Sequence, residues 1–150
     1  MNPTAKTTVG RLLFALLLAT FLGGCASSQE YDVTVTNKIS EPVTAWITKN
    51  YGPYDPGWEP PEMLAASSAM ENQLGGTVIA PGETGHAKIS GKPDFGNPAI
   101  LRIYRATKID AILSLSQGSP DRADYPMTPG VTDVDVTQVN GQLTAVPHEK

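Results

Sequence analysis

The chain has one cysteine, two histidines and no apolar run long enough to cross a bilayer. A single cysteine excludes an intrachain disulfide and any structural zinc site of the cysteine type. The histidines, His86 and His148, lie far apart in sequence, and neither has further ligands at metal spacing; such a site needs three or four convergent groups. There is no Gly-x-Ser-x-Gly elbow, no Gly-rich phosphate loop and no ordered Asp-x-Asp-x-Asp-Gly calcium loop. No basic stripe is present, which excludes nucleic acid as a partner class. These absences lead to an expectation of no enzyme activity, no cofactor and no metal.

What is present begins with the N-terminus. Lys6 and Arg11 make it basic, with no acidic residue before Glu30. Leu12 to Leu22 is almost continuously apolar, broken only by Thr20, and the run from Leu12 to Gly24 is 13 residues. That is short of the roughly 20 residues of a spanning helix and has the form of a secretory signal. The run ends in Leu22-Gly23-Gly24-Cys25. This arrangement resembles the lipobox of bacterial lipoproteins, and the resemblance covers residues 1–25. It implies a thioether of diacylglycerol on Cys25, cleavage just before it, and acylation (typically palmitate) of the new amine. One acyl chain holds only marginally and two or three hold durably, so the implied partner is a lipid bilayer. Ala26 follows in place of an aspartate. By the same resemblance this favours the outer membrane if the host is Gram-negative.

The expected organisation is a signal peptide at 1–24, a lipidated tether at 25–30 and one domain at 31–147. Removing 24 residues from 150 leaves 126, enough to bury a core without staples. This part carries 15 acidic residues and, with Lys6 and Arg11 set aside, 9 basic ones. An acidic body gains nothing from an anionic membrane surface; lipid would have to hold it there.

The expected domain is all-β. Tyr31, Val33 and Val35 alternate with polar residues, as do Val43, Ala45 and Ile47; alternation is the period of half-buried strands. These two runs read as a hairpin across the Asn37–Glu41 turn. The segment 50–76 is rich in Pro, Gly and aromatics, and the helix formers after Pro61 predict a short helix over 61–71. A short strand follows at 77–79, then a run ending near Ile89. Ala99 to Tyr104, nearly continuous in apolar residues, reads as a central strand, with 111–115 as its expected neighbour and 117–122 as loop. Pro81-Gly82 and Pro129-Gly130 carry type II turn chemistry; they are either two independent tight turns or the trace of a duplicated half-domain. Asn140-Gly141 predicts a type I′ hairpin in which Val139 faces Gln142 and Val136 faces Ala145. The fold expectation is an antiparallel β-sandwich, immunoglobulin-like or similar, with one short helical insert.

Tyr51, Tyr54 and Trp58 are the candidate ligand or partner contacts. Spaced along a loop, they form either a flat platform for sugar rings or a protein hot spot. Alternatively they cap an open end of the sandwich and bury themselves with Met63 and Leu64. Trp46 is out of phase with its strand and is expected beneath the same insert. Asp121, Asp124, Asp133 and Asp135 could approach one another, but on a strand Asp133 and Asp135 read as a solvated face. The functional expectation is a non-enzymatic, membrane-anchored envelope lipoprotein whose domain serves protein contact or envelope organisation. The alternatives are a carbohydrate-binding module using the aromatic loop and a small hydrolase built on His86. An envelope protein or a glycan would be the further partner.

Overall fold

The computed structural model describes residues 28–66, 76–92 and 96–149. Among these residues eight strands form two four-stranded sheets packed face to face. In chain order the elements are β1 (Gln29–Asn37), β2 (Val43–Lys49), α1 (Pro61–Ala66), β3 (Thr77–Ile79), β4 (Thr84–Gly91), β5 (Ala99–Tyr104), α2 (Ile109–Leu113), β6 (Arg122–Pro126), β7 (Gly130–Val139) and β8 (Gln142–Pro147). The first sheet runs β4-β1-β7-β8 and the second β3-β2-β5-β6. All pairs are antiparallel except β1 with β7. The all-β sandwich expectation holds.

Alternation explains the core. Tyr31, Val33 and Val35 of β1 and Val134 and Val136 of β7 point inward from the first sheet. Val43 and Ala45 of β2 and Leu101 and Ile103 of β5 meet them from the second. Each fully buried Val, Leu or Ile contributes about 1.5–3 kcal/mol. The β7–β8 hairpin forms as its turn predicts. Asn140 and Gly141 sit at φ 52° and 82°, and Val139 and Val136 face Gln142 and Ala145. Gly82 and Gly130 adopt positive φ, 77° and 105°, as their Pro-Gly turns require.

Two pairings differ from expectation. β1 and β2 are not a hairpin; they lie in different sheets. Alternation shows that a strand has a buried face but does not name its neighbour. The crossover is fixed by Asn37, which is wholly buried. Its amide donates to the Glu41 and Ile79 carbonyls at 2.8 and 3.1 Å and its Oδ1 accepts from Ile39 N–H at 3.1 Å. These bonds turn the chain out of one sheet and into the other.

The segment expected to be a strand at 111–115 is instead the short helix α2 with a turn after it. Ala111, Leu113 and Leu115 alternate, but Ile112 is the residue the fold needs. It packs on Trp46 and Tyr104 in a second apolar cluster, on the outer face of the second sheet. The neighbour of β5 is β6, whose Arg, Asp and Pro content hides it. Pro126 closes this edge strand at its last residue, where a missing N–H costs no ladder bond. β1 also starts two residues before the expected domain boundary, since Gln29 and Glu30 pair with Gly91 and Ser90.

Candidate functional site

β5 is buried along its whole length because both faces of its sheet are covered. Outward-facing Thr44, Trp46 and Thr48 of β2 bind the cover directly. Thr44 donates to the Ala106 carbonyl at 2.5 Å, Trp46 Nε1 to Glu59 at 2.9 Å and Thr48 to Trp58 at 2.6 Å. Trp46 thus packs beneath the insert, as its phase suggested. Pro61 opens α1 as expected; residues 67–71 of the expected helix lie outside the described residues.

Under this cover the chain buries charge. On one face of adjacent strands β5 places Arg102 and Tyr104, and β6 places Asp124 and Arg122 opposite them. Both arginines are buried. Arg122 is well held: its Nε and NH2 donate to the two Asp124 oxygens at 2.8 and 2.9 Å, and its guanidinium lies 5.6 Å from the Tyr104 ring centroid. Burial pulls the Arg122 pKa down, but the bonds to Asp124 and the nearby negative charge outweigh it, and the net shift is upward. Tyr104 is pushed up to about 12, first by burial and then by Glu62, against the opposing pull of the two arginines. Its hydroxyl has no hydrogen-bond partner of ordinary geometry among the described residues.

Arg102 is held loosely. It is 7% exposed, yet its polar contacts are Glu62 at 3.4 Å and the Asn50 carbonyl at 3.5 Å. Its Nε has no partner among the described residues. Glu62, on α1, also stands 3.7 Å from Arg122. These groups border a cleft of about 360 Å³ whose walls include Tyr51, Tyr54 and Met63. A second depression, about 260 Å³, adjoins it; the two share Gln117, Arg122 and Asp124, and the second extends to Gln142–Ala145 on β8.

The aromatic loop is split by the structure. Trp58 is 2% exposed and belongs to the main core, edge-on to Tyr31 with centroids 5.6 Å apart. It lies over Gly91, where a Cβ would come within 2.4 Å of its Nε1. A three-ring platform is therefore corrected: Trp58 is a core residue. Tyr51 remains 62% exposed and Tyr54 half-buried on the cleft wall. Met63, expected to be buried with the rings, is 51% exposed. Arg102 and Arg122 were not singled out from sequence. The available signal was a lone charge inside the Ala99–Tyr104 run, which is polar on a strand with no solvent face.

The remaining candidates are dispersed. His86 is exposed on β4 and meets the Thr34 hydroxyl at 3.2 Å. The hydrolase reading required a serine and a carboxylate in a pocket at that position. Asp135 is not on a solvated face: it is buried and accepts from Lys38 at 2.5 Å and His148 at 2.8 Å. Burial alone would raise its carboxyl, but those two partners and their charge hold it below the usual range. Asp121 pairs with Arg105 and Asp124 with Arg122, so the four aspartates do not converge. Among the described residues no three His, Cys, Asp or Glu groups do. Cys25 and the leader lie outside the described residues.

No family model matches this chain, and no curated protein matches it. Among solved structures it is similar to the T6SS lipoprotein TssJ1 from Pseudomonas aeruginosa, at 8% identity and a TM-score of 0.40, over 83% of this chain and 99% of that one. At that score the likeness assigns neither family nor function.

Proposed function

We propose that this protein is a non-enzymatic envelope lipoprotein, anchored through acylated Cys25, whose β-sandwich makes contact with other envelope proteins. In a Gram-negative host, Ala26 favours the outer membrane. The observation that carries the reading is the placement of Cys25. It closes the 13-residue apolar run after a basic start and stands four residues before the first strand. Four extended residues reach at most about 14 Å, so lipid on Cys25 would hold the domain against the headgroups. The cleft beneath the insert supports protein contact: exposed Tyr51 and Met63 stand beside the buried arginines that line it. Metabolic labelling with a clickable palmitate tests the anchor. Wild type takes up label and fractionates with membranes, whereas Cys25→Ser does neither. Equal labelling of the two would sink the proposal.

A further inference from the structure

Among the described residues Arg102 is a buried cation without a short bond. Guanidinium–carboxylate hydrogen bonds ordinarily run about 2.7–2.9 Å, as those from Arg122 to Asp124 do. Cross-strand pairing sets Asp124 opposite Arg102, but Arg122 holds both Asp124 oxygens. Among the described residues Arg102 is left with Glu62 at 3.4 Å and Asn50 at 3.5 Å, at the outer limit of bonding, and with the Tyr104 hydroxyl beside it, a neutral partner that does not compensate its charge. Glu62 is itself 41% exposed, on a helix at the rim. A charge taken out of water is retained only where good partners compensate it. Here the compensating carboxylate is loose, exposed and able to swing away.

The surroundings fit an incoming chain better than a small anion. The cleft beside Arg102 and the second depression share Gln117, Arg122 and Asp124 as lining, and the second reaches β8. The rim of the cleft carries exposed Tyr51 and Met63, apolar groups that an isolated carboxylate would not cover and a peptide would. Aromatic rings beside a desolvated arginine are the usual composition of a protein-binding hot spot.

We infer that this cleft receives an acidic peptide segment of a partner protein, with one of its carboxylates displacing Glu62 from Arg102. The inference rests on the protein-contact reading above. Glu62 is then a built-in competitor that shields Arg102 until the partner arrives. Arg122 and Asp124 stay paired and line the cleft.

The test is calorimetric titration of the full chain, purified in detergent, with acetyl-Ala-Glu-Ala-Glu-Ala-amide and with its Gln counterpart. The Glu peptide binds saturably and the Gln peptide at least about tenfold more weakly, because a neutral amide loses the charge-assisted pair. Arg102→Lys weakens the Glu peptide by about tenfold, since an ammonium lacks the planar fork. Glu62→Gln, its folding checked by circular dichroism because it removes a carboxylate partner of Arg102 and Arg122, tightens it several-fold. Acetate at the same carboxylate concentration does not displace the peptide. Equal affinity for the two peptides, unchanged or weaker binding by Glu62→Gln, or displacement by acetate overturns the inference. Cys25→Ser separates the two readings: it keeps peptide affinity whatever its lipid label. Loss of affinity in that variant overturns the cleft assignment without touching the anchor.

Discussion

Removing the Asn37 side chain tests whether a single amide determines how the chain passes between sheets. In Asn37→Ala the Ile39 N–H, the Ile79 carbonyl and the Glu41 carbonyl lose their partner. Glu41 is exposed, so water takes over its carbonyl; Ile39 and Ile79 are buried. A buried polar group left unsatisfied costs about 1–3 kcal/mol. Two such groups give about 3 kcal/mol, with the Ile79 carbonyl at the low end because it also belongs to the β2–β3 pairing. For a domain stable by about 5–15 kcal/mol this is a large fraction. With a urea slope near 2 kcal/mol/M, the midpoint falls by about 1.5 M at unchanged slope. Asn37→Asp is the control. It keeps the shape and the acceptor for Ile39, but sets oxygen against the Ile79 and Glu41 carbonyls. If hydrogen bonding is the cause, this variant loses at least as much as Asn37→Ala at neutral pH. Urea unfolding followed by near-UV circular dichroism reads both. An Asn37→Asp loss under about 1 kcal/mol would show that shape alone fixes the crossover, and would refute the reasoning.

Gly91→Ala puts a methyl into Trp58 and is expected to cost about 1–3 kcal/mol by overpacking; a thermal melt with a red-shifted Trp emission would register it. Tyr104→Phe is expected to be neutral or stabilising by up to about 1 kcal/mol, because it removes a buried hydroxyl that has no well-formed hydrogen bond among the described residues. The Tyr104 pKa is raised in the fold, from 10.0 to about 12. Its contribution is therefore full below pH 10 and lost as pH rises from 10 toward 12. Alkaline unfolding curves of wild type fall in that window, and those of Tyr104→Phe lack this component. Asp135 is lowered from 3.8, so its contribution is present above that value and lost as pH falls through the lower folded one. Asp135→Asn flattens this acid limb in stability measured from about pH 6 downward; an unchanged limb would show that Lys38 and His148 do not support it.

The structure had to supply the pairing of strands and the address of each charge. Val33, Val43 and Leu101 alternate in ways that any sandwich would satisfy, so their burial was legible and their partners were not. The sequence does not separate α2 from a strand, because five residues of mixed apolar and polar character fit either period. β6 is hidden in the sequence because its strand-forming logic is electrostatic: Arg122 and Asp124 pair on its outer face while Ala123 faces the core. For Trp58 the polar, irregular loop leaves a surface platform and burial both open, and the structure takes the second. Gly91 leaves a space beside it that nothing in the loop announces.

By itself the sequence determined what local physics can hold. It set a basic start and an apolar run that stops just before Cys25, a strand period through most of the domain, a type I′ turn at Asn140-Gly141 and a helix start at Pro61. Each depends on a few neighbouring residues and needs no distant partner. Tertiary structure decided what depends on distance. It set β1 beside β7, buried Asp135 between Lys38 and His148, and brought Arg102, Arg122 and Glu62 from three separate elements into one cleft. Burial and charge compensation are properties of the assembled surroundings, which residue order does not contain.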